Sequence, residues 1–268
     1  MTFLQAVIIA IVEGITEFLP ISSTGHMALT SAILGIEKEV FTKLFIENIQ
    51  FGTIISVIIL YWRKFLDFRH YSFYLKLFIA FLPAAFMGIL LKKYIDQVLE
   101  TPIFISVVMF LGGFILLFVD RWFNKPRIDQ EAGMTYKNAL IVGLFQLLSI
   151  VFPGFSRSAA TIIGGMQQKL TRKVAAEFSF FLAVPTLAGA FAKSLYDTIT
   201  DHPDVMIPHN IWLLIVGNLV GLVVALIAIK AFITYLTKHG FKLFGYYRII
   251  VGLILIIYLM TGHSLTIQ

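Results

Sequence analysis

The sequence contains no cysteine. That excludes disulfides, thiolate metal sites and a cysteine nucleophile. Charge is also scarce. Charged residues make up 13% of the 268 positions, where a soluble domain carries about 25%. The formal net charge of +6 is modest, and no nucleic-acid partner is expected. What is abundant is apolar surface: 59% of residues are hydrophobic and mean hydropathy is +0.89. A surplus on this scale needs lipid as its solvent, so the unit of organisation is the spanning helix of about 20 residues. No basic residue precedes the first apolar run, Phe3 to Val12, which continues into Glu13. The N-terminus therefore reads as mature protein and not as a cleaved signal.

Six apolar runs are long enough to cross a bilayer: 44–62, 73–92, 102–122, 174–196, 210–235 and 244–261. Two further segments, 3–34 and 138–168, are apolar but broken in the middle. The first break holds Pro20-Ile21-Ser22-Ser23-Thr24-Gly25-His26 and the second Pro153-Gly154-Phe155-Ser156-Arg157-Ser158. Proline and glycine stop a helix at such points, and each arm is too short to cross comfortably. Both segments read as re-entrant helical hairpins. The expected fold is an all-α integral membrane protein with six transmembrane helices and two re-entrant hairpins.

The halves resemble each other. Glu13 and Gln146 each precede a proline by seven residues, and Ser23 and Ser156 each follow that proline by three. The spacing suggests an internal duplication within one membrane domain, with a first repeat over 1–122 and a second over 138–261. Three spans per repeat would invert the second, as in transporters. Of the two sides, the one opposite the N-terminus holds Arg63, Lys64, Arg69, Arg121, Lys125, Arg127, Lys137, Lys169, Arg172, Lys173, Lys238 and Lys242. The N-terminal side holds only Lys38, Lys43, Lys92 and Lys93. The positive-inside rule makes the basic side cytoplasmic, so the first hairpin opens outside the cell.

Ionisable groups inside membrane segments are rare and usually functional. Glu13 and Glu17, four apart, share a helix face. They suit a divalent metal, and two carboxylates do not distinguish magnesium from calcium. Ser22, Ser23, Thr24 and His26 offer hydroxyls and an imidazole, the materials of an anion site with a nucleophile or base. Ser156, Arg157, Ser158 and Thr161 suit phosphate oxygens, because the guanidinium fork donates in pairs. The plainer readings are a polar cap for His26 and a structural ion pair between Arg157 and Glu13, Glu17, Glu47 or Glu177. Gly217-Asn218-Leu219-Val220-Gly221 fits close helix packing, within the chain or in a homodimer.

These residues carry a resemblance. Glu13-Gly14-Ile15-Thr16-Glu17-Phe18-Leu19-Pro20 with Ser22 to His26, and Pro153-Gly154-Phe155-Ser156-Arg157-Ser158-Ala159-Ala160-Thr161, resemble the bacitracin-resistance type of undecaprenyl-diphosphate phosphatase. The resemblance extends over essentially the whole chain. It implies a bacterial plasma-membrane hydrolase that converts a C55 isoprenoid diphosphate to the monophosphate, recycling the carrier for peptidoglycan synthesis. It further implies divalent-metal dependence and bacitracin resistance. In this reading Glu13 and Glu17 hold the metal, Ser23 is the nucleophile with His26 as its base, and Arg157 clamps phosphate. His26 as nucleophile is the alternative.

Two rival functions fit parts of the pattern. An inverted-repeat transporter or lipid flippase would bind and move its ligand without hydrolysis. An acid-type lipid phosphatase would share Thr24-Gly25-His26 but needs a second arginine-to-histidine motif, and Arg157 has no histidine within thirty residues after it.

Overall fold

The computed structural model describes residues 1–91, 94, 101–201 and 203–262. Lys92, Lys93, His202 and His263 lie outside them. The helices are α1 (Phe3–Thr16), α2 (Ser23–Ile33), α3 (Val40–Leu60), α4 (Trp62–Phe65), α5 (Tyr71–Leu90), α6 (Pro102–Trp122), α7 (Tyr136–Val151), α8 (Arg157–Gln167), α9 (Arg172–Asp201), α10 (Pro208–His239) and α11 (Lys242–Met260). Two single 3-10 turns sit in loops, and no strand is formed among the described residues. Six helices, α3, α5, α6, α9, α10 and α11, are long and apolar enough to cross a membrane, as the hydropathy runs predict. The protein is an all-α, multi-span integral membrane protein. Helices α9 and α10 outrun their apolar windows, at 30 and 32 residues. At 1.5 Å per residue each is about 45 Å long, more than a hydrocarbon core needs.

Burial ranks the spans. Over half of the apolar window of α3 and of α9 is buried, 56% in each, against 28% for α5, α10 and α11. Helices α3 and α9 therefore form the centre, and the others turn faces such as Phe86, Ile89, Ile227 and Ile254 outward, where lipid is their natural solvent. Trp62, Trp122 and Trp212 stand exposed at span ends, where interfacial tryptophans belong.

Each broken segment folds as two helices that return to their starting end. In the first, the Gln5 side-chain amide donates to the Leu34 carbonyl at 3.1 Å. In the second, Asn138 donates to Gln168 at 3.1 Å. Local chemistry recurs in both. Capping boxes start α1 (Thr2 with Gln5) and α7 (Thr135 with Asn138), satisfying the first free N–H groups. Serines cap α2 and α8, Ser22 accepting from Gly25 N–H and Ser156 from Ala159 N–H. Gly35 and Lys169 then end those helices with left-handed backbones, φ 65° and 67°. The two hairpins open at opposite ends of α10. Met1 contacts His209 in the first turn of α10, whereas Asp120 joins Arg172 to the Phe241 N–H just past its last turn.

The helical register corrects one expected correspondence. Proline spacing matches Ser23 with Ser156, but the caps match Ser22 with Ser156, because the second break holds one more residue between proline and cap. Ser23 and Arg157 then occupy the same place, the first helical position after a capping serine.

The outer arms pack on spans of the opposite half, α1 against α10 and α7 against α5. Glycine permits both approaches. A Cβ on Gly14 would press on the Gly221 carbonyl and Val224, and one on Gly143 would overlap the Ala80 backbone. Gly217 of the small-residue motif meets Phe45 and Ile49 of α3, so that motif is used inside the chain.

Gly143→Ala should destabilise the protein by about 1–3 kcal/mol, because the neighbour in the way is backbone and cannot rotate aside. Gly88, with nothing within 4 Å of an added Cβ, is the contrast: Gly88→Ala should stabilise by up to about 1 kcal/mol. Thermal midpoints in one detergent check both signs, and equal shifts would mean that α7 does not rest on α5 as described.

Candidate functional site

The two breaks meet, and side chains of the second satisfy backbone carbonyls of the first. Ser158 Oγ donates to the Phe18 carbonyl at 2.7 Å, and Ser156 Oγ reaches the Leu19 carbonyl at 3.5 Å. Such partners are required of irregular backbone at membrane depth. The capping serines hold left-handed backbones, φ 70° at Ser22 and 78° at Ser156. A non-glycine residue adopts that region only when its surroundings impose it.

Glu17 stands where the hairpins touch. It is buried at 6% exposure, and both its oxygens are engaged. Oε2 accepts from Ser23 Oγ at 2.7 Å. Oε1 accepts from Arg157 Nη2 at 3.1 Å. The two first-position residues thus converge on one carboxylate. Arg157 also donates from Nη1 to the Ser179 carbonyl at 3.1 Å, while its buried Nε–H has no partner. Thr161 Oγ1 and Ser179 Oγ lie 2.6 Å apart, and Thr161 also donates to the Arg157 carbonyl, so α9 holds α8 in place. The ion pair that is the plainer reading of Arg157 is present, and its partner is Glu17.

Glu13 is fully buried, and neither carboxylate oxygen has a hydrogen-bond partner. Glu17, Gln50 and Arg157 are close enough to act on it electrostatically. Gln146, matched to it in the second half, is buried with its Oε1 also unpartnered. Two unpartnered oxygens beside a second carboxylate are unstable without a cation or a proton.

No hydrogen bond joins His26 to Ser23 among the described residues. The His26 Nδ1–H donates to the Ser22 carbonyl at 2.7 Å, and its Nε2 is hydrogen-bonded to the Tyr247 hydroxyl at 2.7 Å. The two rings also stack, with centroids 5.6 Å apart. Sequence spacing put Ser23 and His26 on one helix face, but the Ser23 hydroxyl is claimed by Glu17. Thr24 has no side-chain hydrogen bond among the described residues and is exposed. The remaining acids sit further off. Glu47 pairs with Ser194 and Glu177 with Tyr61, one at each end of the α3–α9 pair.

Sequence reasoning missed three partners. Tyr247 and Arg248 come from α11, and Ser179 from α9. Arg248 carried a legible signal, a charge inside an apolar run. Tyr247 and Ser179 carried none, because one tyrosine or serine in a span is ordinary.

Comparison with known proteins identifies the family. The family described as bacitracin resistance protein BacA matches residues 6–254. A protein of Flavobacterium johnsoniae named undecaprenyl-diphosphatase is 52% identical, with all of both chains aligned. Proteins of the same name from Flavobacterium psychrophilum and Porphyromonas gingivalis are 51% and 46% identical, again over the full length of both chains. With the match running through both breaks and all six spans, the chain belongs to the BacA bacitracin resistance family.

Proposed function

We propose that this protein hydrolyses undecaprenyl diphosphate to the monophosphate and phosphate, recycling the lipid carrier for cell-wall synthesis and conferring resistance to bacitracin. The observation that carries the mechanism is the chain of contacts Ser23–Glu17–Arg157 at the junction of the breaks. It offers a nucleophile, a base and a phosphate-binding cation within one half-buried cluster.

Ser23 Oγ attacks the terminal phosphorus while Glu17 takes its proton. The bond from phosphorus to the bridging oxygen breaks, and the proton passes to the departing lipid monophosphate. Water then attacks the phosphoserine, with Glu17 accepting the water proton and returning it to Ser23 Oγ as phosphate leaves. Arg157 holds the phosphate oxygens with its free Nε–H and with the N–H released from Glu17. Ser22, Thr24, Ser156, Ser158 and Thr161 surround or shape that anion site, which gathers the N-terminal ends of α2 and α8. His26 holds the Ser22 cap and thereby the position of Ser23.

A divalent metal fits the donors. Glu13 supplies two unpartnered oxygens, with Glu17 and Gln50 beside it. No group of three or more histidine or acidic ligands gathers among the described residues. This suits an ion that takes its other ligands from substrate phosphate and water, as magnesium commonly does. The metal would neutralise charge on the diphosphate. The two hairpins are read as re-entrant, the halves as an inverted duplication, and the membrane as the bacterial plasma membrane. The basic loops put the cytoplasm on the side of Arg127 and Lys238, and the mouth of the first hairpin outside.

Three measurements test this reading. Ser23→Ala and Glu17→Gln should each lower kcat by more than about 100-fold, while His26→Asn keeps the larger residual rate; the reverse order would make His26 the nucleophile. Phosphate release from a C55 diphosphate by purified protein should stop in EDTA and return with excess magnesium or calcium. Undiminished release in EDTA removes the metal from the mechanism. Finally, in intact cells a membrane-impermeant thiol reagent should label Lys38→Cys, in the exposed loop after the first hairpin, but not Arg127→Cys or Lys238→Cys. The opposite pattern would place hydrolysis in the cytoplasm.

A further inference from the structure

Arg248 lies in α11, outside both motifs, and is fully buried. Every donor of its guanidinium faces a main-chain carbonyl. Nε donates to Met109 at 3.2 Å. Nη1 donates to Pro20 at 3.3 Å and to Phe155 at 2.5 Å. Nη2 donates to Gly154 at 2.9 Å, with a longer 3.5 Å contact to Val108. None of the ion pairs formed among the described residues includes it.

A buried cation without an anion is costly, and an apolar side chain would fill the same space more cheaply. The geometry shows what the charge is used for. One nitrogen, Nη1, binds a carbonyl from each break, so it fixes their separation. Pro20 lies two residues before the Ser22 cap and Phe155 one residue before the Ser156 cap. Those caps start the helices whose first residues are Ser23 and Arg157. Because both caps have left-handed backbones, local preference does not hold them, and an outside clamp is needed. Gly112 makes room for it, since a Cβ there would overlap the Arg248 guanidinium.

We infer that Arg248 is a positioning residue for the reaction: its guanidinium sets the spacing of the two breaks, and so of Ser23, Glu17 and Arg157, without touching substrate. This rests on the site described above. Lysine cannot replace it, because an ammonium offers three donors at a single point and cannot also hold the Met109, Val108 and Gly154 carbonyls that orient the planar guanidinium.

The test uses the purified full-length protein and a C55 diphosphate. Arg248→Lys should lower kcat by roughly 100-fold, the scale of a 1 Å misplacement, with KM changed by less than about threefold. Gly112→Ala, which displaces the guanidinium without altering it, should lower the same parameter by a smaller factor. Thermal midpoints identify the folded protein on which rates are compared. A wild-type kcat in folded Arg248→Lys, or a loss confined to KM, would overturn the inference. If Arg248→Lys does not fold, Gly112→Ala decides, and an unchanged kcat there overturns it. Arg157→Lys is run alongside. Its retention of full activity would overturn the site reading and this inference with it, whereas full activity in Arg248→Lys alone overturns only the inference.

Discussion

Three consecutive carbonyls at the end of the first broken helix, those of Phe18, Leu19 and Pro20, accept hydrogen bonds from Ser158, Ser156 and Arg248. The rest of the structure depends on that exchange. Interrupting a helix inside a hydrocarbon layer frees backbone groups that lipid cannot satisfy, each costing several kcal/mol. Here the donors come from the second break and from α11. The interruption is tolerated because the two halves close it together, and the same closure gathers Ser23, Glu17 and Arg157.

The fold was legible in the sequence to the extent that hydropathy and helix breakers control it. Six apolar runs became six spans, with ends shifted by a few residues, because runs of that length have one low-energy state in lipid. Pro20 and Pro153 marked both breaks. The candidate site was legible wherever charge was misplaced: Glu13 and Glu17 are buried, and Glu17 pairs with the half-buried Arg157, as ionisable groups in such segments tend to do. Contacts between distant segments were not legible. Helical spacing paired Ser23 with His26, but tertiary structure gives Ser23 to Glu17 and His26 to Tyr247. Proline spacing matched Ser23 to Ser156, and the cap geometry moved that match by one residue. Arg248 was visible as a charge in a span, yet nothing nearby in the chain tied it to either motif.

The α3–α9 pair frames this junction with polar contacts at both ends. Glu47 meets Ser194 at one end and Glu177 meets Tyr61 at the other. Farther along the Glu177 side, the loop after α6 is fastened by Glu131 to Lys76 at 2.9 Å and to Lys64 at 3.2 Å. Lys76 is 5% exposed and Glu131 8%, so this pair is shielded from salt and holds more firmly than a surface bridge would. The loop that links the halves is thereby attached to the helices it crosses.

The distance along the chain between the clamp and its ligands bears on biosynthesis. Pro20 and Arg248 are 228 residues apart. At about 5–20 residues per second, a ribosome makes the first break roughly 10–45 s before it makes the arginine that completes it. For that time the nascent hairpin has no intramolecular donor from α11 for its exposed carbonyl. Another donor must serve in its place, and the first break can take its final shape only when the last helix has been made.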